Sequence, residues 1–304
     1  MQRMLWLPLP LALLTTALAW AQPPVREPVK EGPLERLVLD DGTDTEAAAW
    51  QPAEAIVTVD KKHVLKGDTS LRLHIDVNWE TGEKNYPVGW PRMLRLFAEP
   101  LQAWQQYEYF EFSVFAESSR ASLPADPLGL ILKGKDGKSV YTRQLTELQL
   151  GKWTDYRIAI ADLPGCDPCT GIQFYISESN YRHGDKLDFW FDNVSLIRFT
   201  QPVLAETAMP EYALLGGSRY VITTLHLLGM KPDEKMELVW ELSSGKHIAA
   251  TGRLNAAGGK RRYYLPLPNR LAPGYYELKF KCGDQQSPPY AVMLTSSPWQ
   301  EDAK

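Results

Sequence analysis

Residues 78–92 combine aromatic and polar side chains in a way that suits ligand binding. Trp79, Tyr86 and Trp90 fall within this segment, and Arg92 closes it. An aromatic ring can stack on the apolar CH face of a pyranose, while Arg, Asn and Gln side chains hydrogen-bond its hydroxyl groups. We therefore predict a sugar-binding surface that includes these four residues. The alternative is that Trp90 packs in a core and Trp79 fills a loop.

Two tyrosines further along the chain extend this prediction. Tyr175 lies in a late strand-like alternation and Tyr181 follows closely, so both are expected to reach the same surface. Aromatic side chains pack inside proteins more often than they bind ligands, so a core position is the alternative for Tyr175. The neighbours of Trp50, Trp153 and Trp190 alternate as in buried strands, and we predict these three to be core residues.

The sequence lacks recognisable catalytic motifs. Glu80 and Glu83 resemble the carboxylate pair of glycosidases, as do Asp185 and Asp188, but neither pair has a supporting pattern around it. The five histidines are scattered without metal-ligand spacing. There is no G-x-S-x-G, phosphate-binding loop or dinucleotide fingerprint. We expect a protein without enzymatic activity.

The first residues predict export. Arg3 precedes an apolar stretch, and Ala19-Trp20-Ala21 forms an A-x-A cleavage site. Residues 1–21 are therefore predicted to be a signal peptide, and the mature protein to be secreted, periplasmic or on the cell surface. The alternative, a retained membrane anchor, needs about twenty apolar residues, whereas prolines interrupt this stretch.

Export favours a disulfide between Cys166 and Cys169, which form a C-x-x-C pair. In a reducing cytosol such a pair suggests redox chemistry or half of a zinc site, but the sequence has no second C-x-x-C or H-x-H. Closing so short a loop removes little chain entropy, so we expect the bond to shape the loop more than to stabilise the fold. Cys282 is predicted to be a free thiol on a strand.

Composition and charge argue against two other classes of protein. The chain carries 33 Lys and Arg against 37 Asp and Glu, a formal net charge of −4. Nucleic-acid binding depends on clustered basic residues, which this sequence lacks. No segment after the signal peptide is long and apolar enough to span a bilayer. We expect neither a nucleic-acid partner nor a membrane span in the mature protein.

Short strands account for most of the chain. After a proline-rich linker at residues 22–33, apolar and polar residues alternate with period two between turns rich in Gly and Asp. A second strand-rich unit covers residues 201–298, and residues 299–304 form a tail. No amphipathic helix of useful length appears. We predict an all-β protein with one β-sandwich at residues 34–200 and another at 201–298.

Several short segments of the first unit match the pattern of a known group. They are Leu39-Asp40-Asp41-Gly42 with Trp50, the G-x-x-S-L-x-L strand at 67–73, the W-x-x-x-x-I-x-L-x-D-L-like stretch at 153–163, and two closing strands at 171–176 and 189–196. Together they span residues 35–199 and resemble the jelly-roll carbohydrate-binding modules of the galactose-binding-like superfold, especially those of secreted bacterial polysaccharide-degrading proteins. The resemblance implies a jelly roll that binds a polysaccharide or glycan.

The resemblance also implies a structural calcium ion. Asp40 and Asp192 match the places of its acidic ligands, one near the first strand and one on the last. Calcium takes about six to eight oxygen ligands, so backbone carbonyls and water would complete the shell. The alternative is that Asp40 belongs only to a turn and Asp192 to a hydrogen-bonded strand end.

The second unit has the size and turn pattern of an immunoglobulin-like sandwich. Residues 271–278 read as a turn that leads into an alternating strand, which is typical of that architecture. We therefore predict an immunoglobulin-like second unit.

Two functions of different classes remain open from the sequence. The first is a secreted, non-catalytic carbohydrate-binding protein whose partner is a polysaccharide or glycan. The second is an envelope or extracellular assembly protein whose sandwiches contact other envelope proteins and bind no sugar. They differ in whether the aromatic residues of the 78–92 segment are exposed on one face or buried.

Overall fold

The computed structural model describes residues 27–80, 89–209, 213–215, 217–231, 233–269 and 271–296. The predicted signal peptide, the tail and Tyr86 lie outside the described residues. Strands dominate, and the α-helix of the described part is the four-residue α1 (Asp44–Ala47). The predicted all-β class is confirmed. No helix in the described ranges is long and apolar enough to cross a membrane.

The first unit contains strands β1 to β12, whose bounds follow in chain order. They are β1 (Val29–Glu31), β2 (Leu34–Asp40), β3 (Trp50–Ala53), β4 (Ile56–Asp60), β5 (Ser70–Asp76), β6 (Arg92–Leu96), β7 (Tyr109–Ser118), β8 (Gly129–Lys133), β9 (Ser139–Gln144), β10 (Trp153–Ala159), β11 (Gly171–Tyr175) and β12 (Lys186–Phe199). Short 3₁₀ turns lie at Trp104–Gln106, Lys135–Gly137, Ile160–Asp162 and Glu178–Asn180. Because Val29–Glu31 pairs with β2, this part of the predicted linker is a strand.

These strands form two sheets. The seven-stranded sheet has the order β1-β2-β12-β5-β4, with β7 paired to β12 and β10 to β7. The five-stranded sheet has the order β3-β6-β11-β8-β9. Successive residues of a strand point to opposite sides of its sheet, so every second residue can face the other sheet. Phe191 of β12 and Phe174 of β11 meet in this way, with ring centroids 4.4 Å apart.

The three tryptophans predicted as core residues have different positions. Trp50 is buried in the core between the sheets, as predicted. Trp190 is buried, but it alternates with the core residues of β12 and so lies on the outer side of the seven-stranded sheet. There its ring meets Phe115 edge-on at 5.8 Å. Trp153 is only partly buried beside Phe115. The prediction of a core position is therefore wrong for Trp153. Trp190 is buried as predicted, but it does not lie in the core between the sheets.

The second unit has its own sheets and core. Its strands are β13 (Val203–Ala208), β14 (Ala213–Leu215), β15 (Tyr220–Leu228), β16 (Lys235–Ser244), β17 (His247–Ala257), β18 (Gly259–Pro266), β19 (Gly274–Cys282), β20 (Gln285–Gln286) and β21 (Tyr290–Thr295). A three-stranded sheet has the order β13-β15-β18. A six-stranded sheet has the order β14-β21-β19-β16-β17, with β20 paired to β19. Trp240, Leu278 and Phe280 lie in the core of this unit.

Candidate functional site

The register of the five-stranded sheet determines which residues face outward. Ile172 and Phe174 of β11 point into the core, so Gly171, Gln173 and Tyr175 point outward. Pairing across the sheet extends this pattern into three outward rows, which we call the outer face. The rows are Ala53, Arg92, Tyr175, Gly129 and Gln144; Gln51, Leu94, Gln173, Ile131 and Thr142; and Leu96, Gly171, Lys133 and Ser139.

Three of the predicted site residues meet at one end of the outer face. Trp90 precedes β6 and is 41% exposed. Its ring meets Tyr175 edge-on, with centroids 5.5 Å apart. The Arg92 guanidinium lies 4.8 Å from the centre of the Trp90 ring, and Arg92 Nη1 donates a hydrogen bond to Trp90 O at 3.0 Å. The predicted juxtaposition of Trp90, Arg92 and Tyr175 is present in the structure.

Tyr175 is fixed on this face by two residues of the neighbouring strands. Gln144 Nε2 donates a hydrogen bond to Tyr175 Oη at 3.0 Å. The tyrosine ring crosses β8 at Gly129, where a Cβ atom would lie 2.3 Å from ring carbons. Glycine at this position therefore allows the ring to lie against the sheet. Tyr175 thus forms a fixed aromatic surface beside the exposed Trp90 ring.

Two carboxylates hold the backbone that carries Trp90. The buried Glu178 accepts hydrogen bonds from Asn78 N at 3.0 Å through Oε1 and from Gly89 N at 2.8 Å through Oε2. Glu54 Oε2 accepts a third from Trp90 N at 2.7 Å. A carboxylate that accepts backbone N–H groups forms strong, charge-assisted bonds. Glu178 therefore joins the two ends of the segment between Asn78 and Gly89.

Trp79 lies at this same end of the first unit. Its side chain is 46% exposed, and its backbone N donates to His183 Nδ1 at 3.2 Å. Glu178 accepts hydrogen bonds from Asn78 N and Gly89 N, which directly precede Trp79 and Trp90. The backbone just before each tryptophan is therefore bound to the same carboxylate. No ring contact joins Trp79 and Trp90 within the described ranges.

The predicted role of Tyr181 is wrong. Its side chain is 2% exposed, and its hydroxyl donates to Pro127 O at 2.6 Å. Burial also raises the pKa of this hydroxyl. A ring enclosed in this way has no face on which a sugar can stack, so Tyr181 ties the turn after β11 to the loop before β8.

The outer face also contains polar residues that the sequence analysis did not identify. Lys133 Nζ donates to Ser139 Oγ at 3.1 Å. Gln173 is 3% exposed, and its Nε2 has no hydrogen-bond partner among the described residues. A buried amide donor without an acceptor is unfavourable and calls for an explanation. Gln173 lies on the outward side of β11 two residues before Tyr175, and the register of β8 with β11 places Lys133 on the same face.

Asp40 and Asp192 do not fit the predicted calcium site. Asp40 is buried, and its Oδ2 accepts hydrogen bonds from Trp50 Nε1 at 2.6 Å and Arg95 Nη1 at 3.0 Å. Burial raises the pKa of Asp40, an effect that the nearby Arg95 charge opposes. Calcium needs oxygen ligands, whereas N–H donors and a guanidinium already surround this carboxylate.

Asp192 has a separate set of partners. Its Oδ2 accepts hydrogen bonds from Leu65 N at 2.8 Å and Lys66 N at 3.0 Å, whereas Asp40 is bound by Gly42 N, Trp50 and Arg95. Across the described ranges, no group of three or more His, Cys, Asp or Glu is arranged to hold a metal ion. The sequence pattern located both acids but not the Arg95 side chain that enters from the opposite sheet.

The cysteines are free thiols in this structure. The predicted bond between Cys166 and Cys169 is not formed. Instead the two buried side chains are hydrogen-bonding neighbours, and this contact together with burial raises the pKa of Cys169. Cys282 is a buried free thiol on β19, as predicted.

Comparisons with known proteins find similarity to solved structures. Neither protein-family models nor curated proteins give a match. The chain is similar to a β-1,2-glucanase from Parabacteroides distasonis at 12% identity and a TM-score of 0.37, over 82% of this chain and 37% of that one. It thus spans well under half of the glucanase.

Two carbohydrate-binding modules are also similar. One is the family 11 module from Clostridium thermocellum in complex with a β-1,3-1,4-mixed-linked tetrasaccharide, at 14% identity and a TM-score of 0.33, over 54% of this chain and 94% of the module. The other is the CBM27-1 module from Caldicellulosiruptor saccharolyticus in complex with mannohexaose, at 17% identity and a TM-score of 0.32, over 51% and 95%. Fold and geometry together define an all-β protein whose five-stranded sheet has an aromatic, donor-rich outer face.

Proposed function

We propose that this chain is a secreted, non-catalytic carbohydrate-binding protein that holds a polysaccharide on the outer face of its five-stranded sheet. The observation that carries the proposal is the exposed Trp90 ring beside the fixed Tyr175 ring, with the Arg92 guanidinium against the Trp90 ring. Sugar binding requires an apolar surface for the CH face and nearby groups that hydrogen-bond the hydroxyls. This end of the outer face offers both.

Each residue has a defined role in the proposal. Trp90 stacks on a pyranose ring, and Tyr175 continues the aromatic surface toward β8. Arg92 and Gln144 contribute hydrogen bonds at its edges. Trp79, at the opposite end from Trp90 of the segment whose ends Glu178 binds, also contacts the polymer.

The carboxylates near Trp90 favour binding over hydrolysis. Glycoside hydrolysis commonly uses two carboxyl groups that flank the scissile bond, one as an acid. Both Glu178 oxygens already accept backbone N–H groups, and Glu54 Oε2 accepts Trp90 N. These carboxylates bind the backbone around Trp90. This supports a protein that binds a glycan and does not hydrolyse it.

The second unit fits a spacer of immunoglobulin-like architecture. Its three-stranded sheet and six-stranded sheet carry strands in the orders β13-β15-β18 and β14-β21-β19-β16-β17. The parallel pairing of β14 with β21 puts a strand from the start of the unit beside its last strand. Two mainly antiparallel sheets over a shared core are the defining features of such sandwiches.

The test is retention of the mature protein by a panel of soluble polysaccharides in affinity electrophoresis. Trp90→Ala and Tyr175→Ala should weaken retention of the bound polysaccharide while thermal melts stay close to wild type. Tyr275→Ala removes an exposed tyrosine of the second unit and serves as the matched control, with retention unchanged. Wild-type protein that no polysaccharide retains would overturn the proposal and favour the envelope-assembly function.

A further inference from the structure

We propose that the junction between the two units holds a second ligand site, which binds a short, uncharged saccharide. A cavity of about 560 Å³ lies at this junction, with walls from both units. Its volume falls within the range of small-molecule sites, roughly 300–1,000 Å³, and such sites occur preferentially between domains. The inference does not depend on the proposed function of the outer face, because the junction cavity lies on another side of the first unit.

Strand alternation shows which sides of the two units bound the junction cavity. Tyr109 begins β7 and alternates with Phe110 of the core, so it points away from the five-stranded sheet. His226 of β15 lies between Leu225 and Leu227, which are both core residues, so it points out of the second sandwich. Tyr109 and His226 both line the cavity. The outer sides of the seven-stranded and three-stranded sheets therefore meet at this site.

One carboxylate ties the two walls of the cavity together. Glu108 Oε2 accepts a hydrogen bond from Phe199 N at 3.0 Å, at the end of β12. Its Oε1 accepts another from Gly229 N of the second unit at 3.2 Å. A Cβ atom at Gly229 would lie 2.2 Å from Gln201 O, so the chain approaches itself closely here. Walls fixed in this way lower the cost of ordering the site around a ligand.

The polar groups of the cavity have hydrogen-bonding capacity to spare. Tyr107, Tyr109 and His226 are partly exposed in its lining, and none of these side chains has a hydrogen-bond partner within the described ranges. Each phenol can donate and accept, and a neutral imidazole offers one donor and one acceptor. Partial burial raises the pKa of both tyrosines and lowers that of His226. All three groups are therefore uncharged at neutral pH.

The charges of the lining favour an uncharged ligand. Neither Lys nor Arg is among the described residues that line the cavity, whereas Glu108 and Asp167 are. An anion would be repelled by these two carboxylates. A cation would gain little, because both oxygens of Glu108 already accept backbone N–H groups and Asp167 is exposed to water.

Apolar side chains complete the lining and indicate the class of ligand. Ile160, Leu163 and Met230 contribute to the walls. A sugar ring has apolar CH groups that pack against such walls, and hydroxyl groups that pair with phenols and an imidazole. A compound without hydroxyl groups would displace water from Tyr109 and His226 and leave them unpaired, which is unfavourable. The limited volume of the cavity suits a short saccharide and excludes a long polymer.

The experiment measures binding of small sugars to the mature protein by isothermal titration calorimetry. Glucose, galactose, cellobiose, xylobiose and mannobiose are the neutral probes. Glucuronate, glucosamine and cyclohexanol test an anion, a cation and a ring with a single hydroxyl group. Each titration is repeated with Trp90→Ala, which separates the junction cavity from the outer face. We expect a neutral saccharide to bind wild type and Trp90→Ala equally, and the other three probes to bind about tenfold more weakly.

Two variants locate the bound sugar. Tyr109→Phe removes one hydroxyl group and keeps the ring, so affinity should fall about tenfold. Ala161→Trp puts a large side chain at an exposed position of the cavity lining and should abolish binding. Tyr275→Phe, at an exposed tyrosine elsewhere in the second unit, is the matched control and should bind like wild type.

Three results would overturn the junction site. They are no binding of any neutral saccharide to Trp90→Ala, equal or tighter binding of a charged or hydroxyl-poor probe, and unchanged affinity of Tyr109→Phe or Ala161→Trp with a normal melt. Each of them leaves the proposed function intact, because polysaccharide retention by the outer face is measured separately. Loss of that retention would likewise leave the junction site intact.

Discussion

The ring of Tyr175 occupies the space that a side chain at residue 129 would need. A Cβ on Gly129 would lie 2.3 Å from two ring carbons and 2.8 Å from the hydroxyl oxygen. The tyrosine can therefore lie across β8 and accept the Gln144 hydrogen bond only while residue 129 is glycine.

Gly129→Ala tests this relationship. The added methyl group should lift the Tyr175 ring from the sheet and break its contact with Gln144, so we expect glycan affinity to fall about tenfold, or ~1.4 kcal/mol. Stability should change little, because alanine suits a strand at least as well as glycine does. Affinity electrophoresis with a thermal melt measures both. Thr58→Ala, at an exposed position of β4 in the other sheet, is the control, and equal losses in both variants would contradict the interpretation.

Trp90 and Trp190 should respond in opposite ways to truncation. Trp190→Ala removes a buried ring that packs against Phe115 and His63, and we expect a loss of about 3–5 kcal/mol in the free energy of unfolding. Trp90→Ala removes an exposed ring and should leave the denaturation midpoint nearly unchanged while weakening glycan binding. Urea denaturation followed by circular dichroism measures the first effect. A large destabilisation by Trp90→Ala would assign Trp90 to the core.

Glu178→Gln should loosen the segment that carries both exposed tryptophans. The amide keeps one acceptor but turns an NH₂ group toward Asn78 N or Gly89 N, so one of the two hydrogen bonds is lost. We expect weaker glycan binding and a changed tryptophan emission spectrum. Glu277→Gln, an exposed acid of the second unit, is the control. Wild-type affinity and emission in Glu178→Gln would show that the segment needs no such anchor.

The sequence predicted a calcium ion as the cation that Asp40 binds. We expect Arg95 to be that cationic partner instead. The guanidinium is buried and pairs with both Asp40 and Glu46. Removing one member of a buried charge cluster leaves the others uncompensated, at a cost of about 3–5 kcal/mol. We expect Arg95→Met to lower the melting temperature sharply, whereas a chelator should not change the melt of the wild type. A melt that falls with chelator and recovers with calcium would restore a calcium site.

The sequence could predict the fold class and part of the site because both depend on local patterns. Period-two alternation identified the sandwich strands, and the aromatic composition of 78–92 pointed to Trp90 and Arg92. Alternation does not identify β6, because an inward position of this strand holds Arg95, which breaks the apolar pattern. The closing strand predicted at 189–196 extends over Lys186–Phe199 in the structure and passes Asp192 through a bulge, where Asn193 has a φ of 56°.

The rest of the site depends on pairing between strands distant in sequence. Gln144 becomes a neighbour of Tyr175 only through the registers of β8, β9 and β11, which also place Lys133 on the same face. Local patterns do not specify those registers. Tyr181 was misplaced for a related reason, since its burial depends on the loop at Pro127, which lies far from it in the chain.

Strand β12 has a mechanical consequence for a protein that holds a polymer. This fourteen-residue strand pairs with β2, β5 and β7 and ends at Phe199, a few residues before the second unit begins at β13. Tension applied through the second unit would therefore pull β12 along its own axis. Its hydrogen bonds run perpendicular to the strand, so they would bear the load together in shear rather than open one after another.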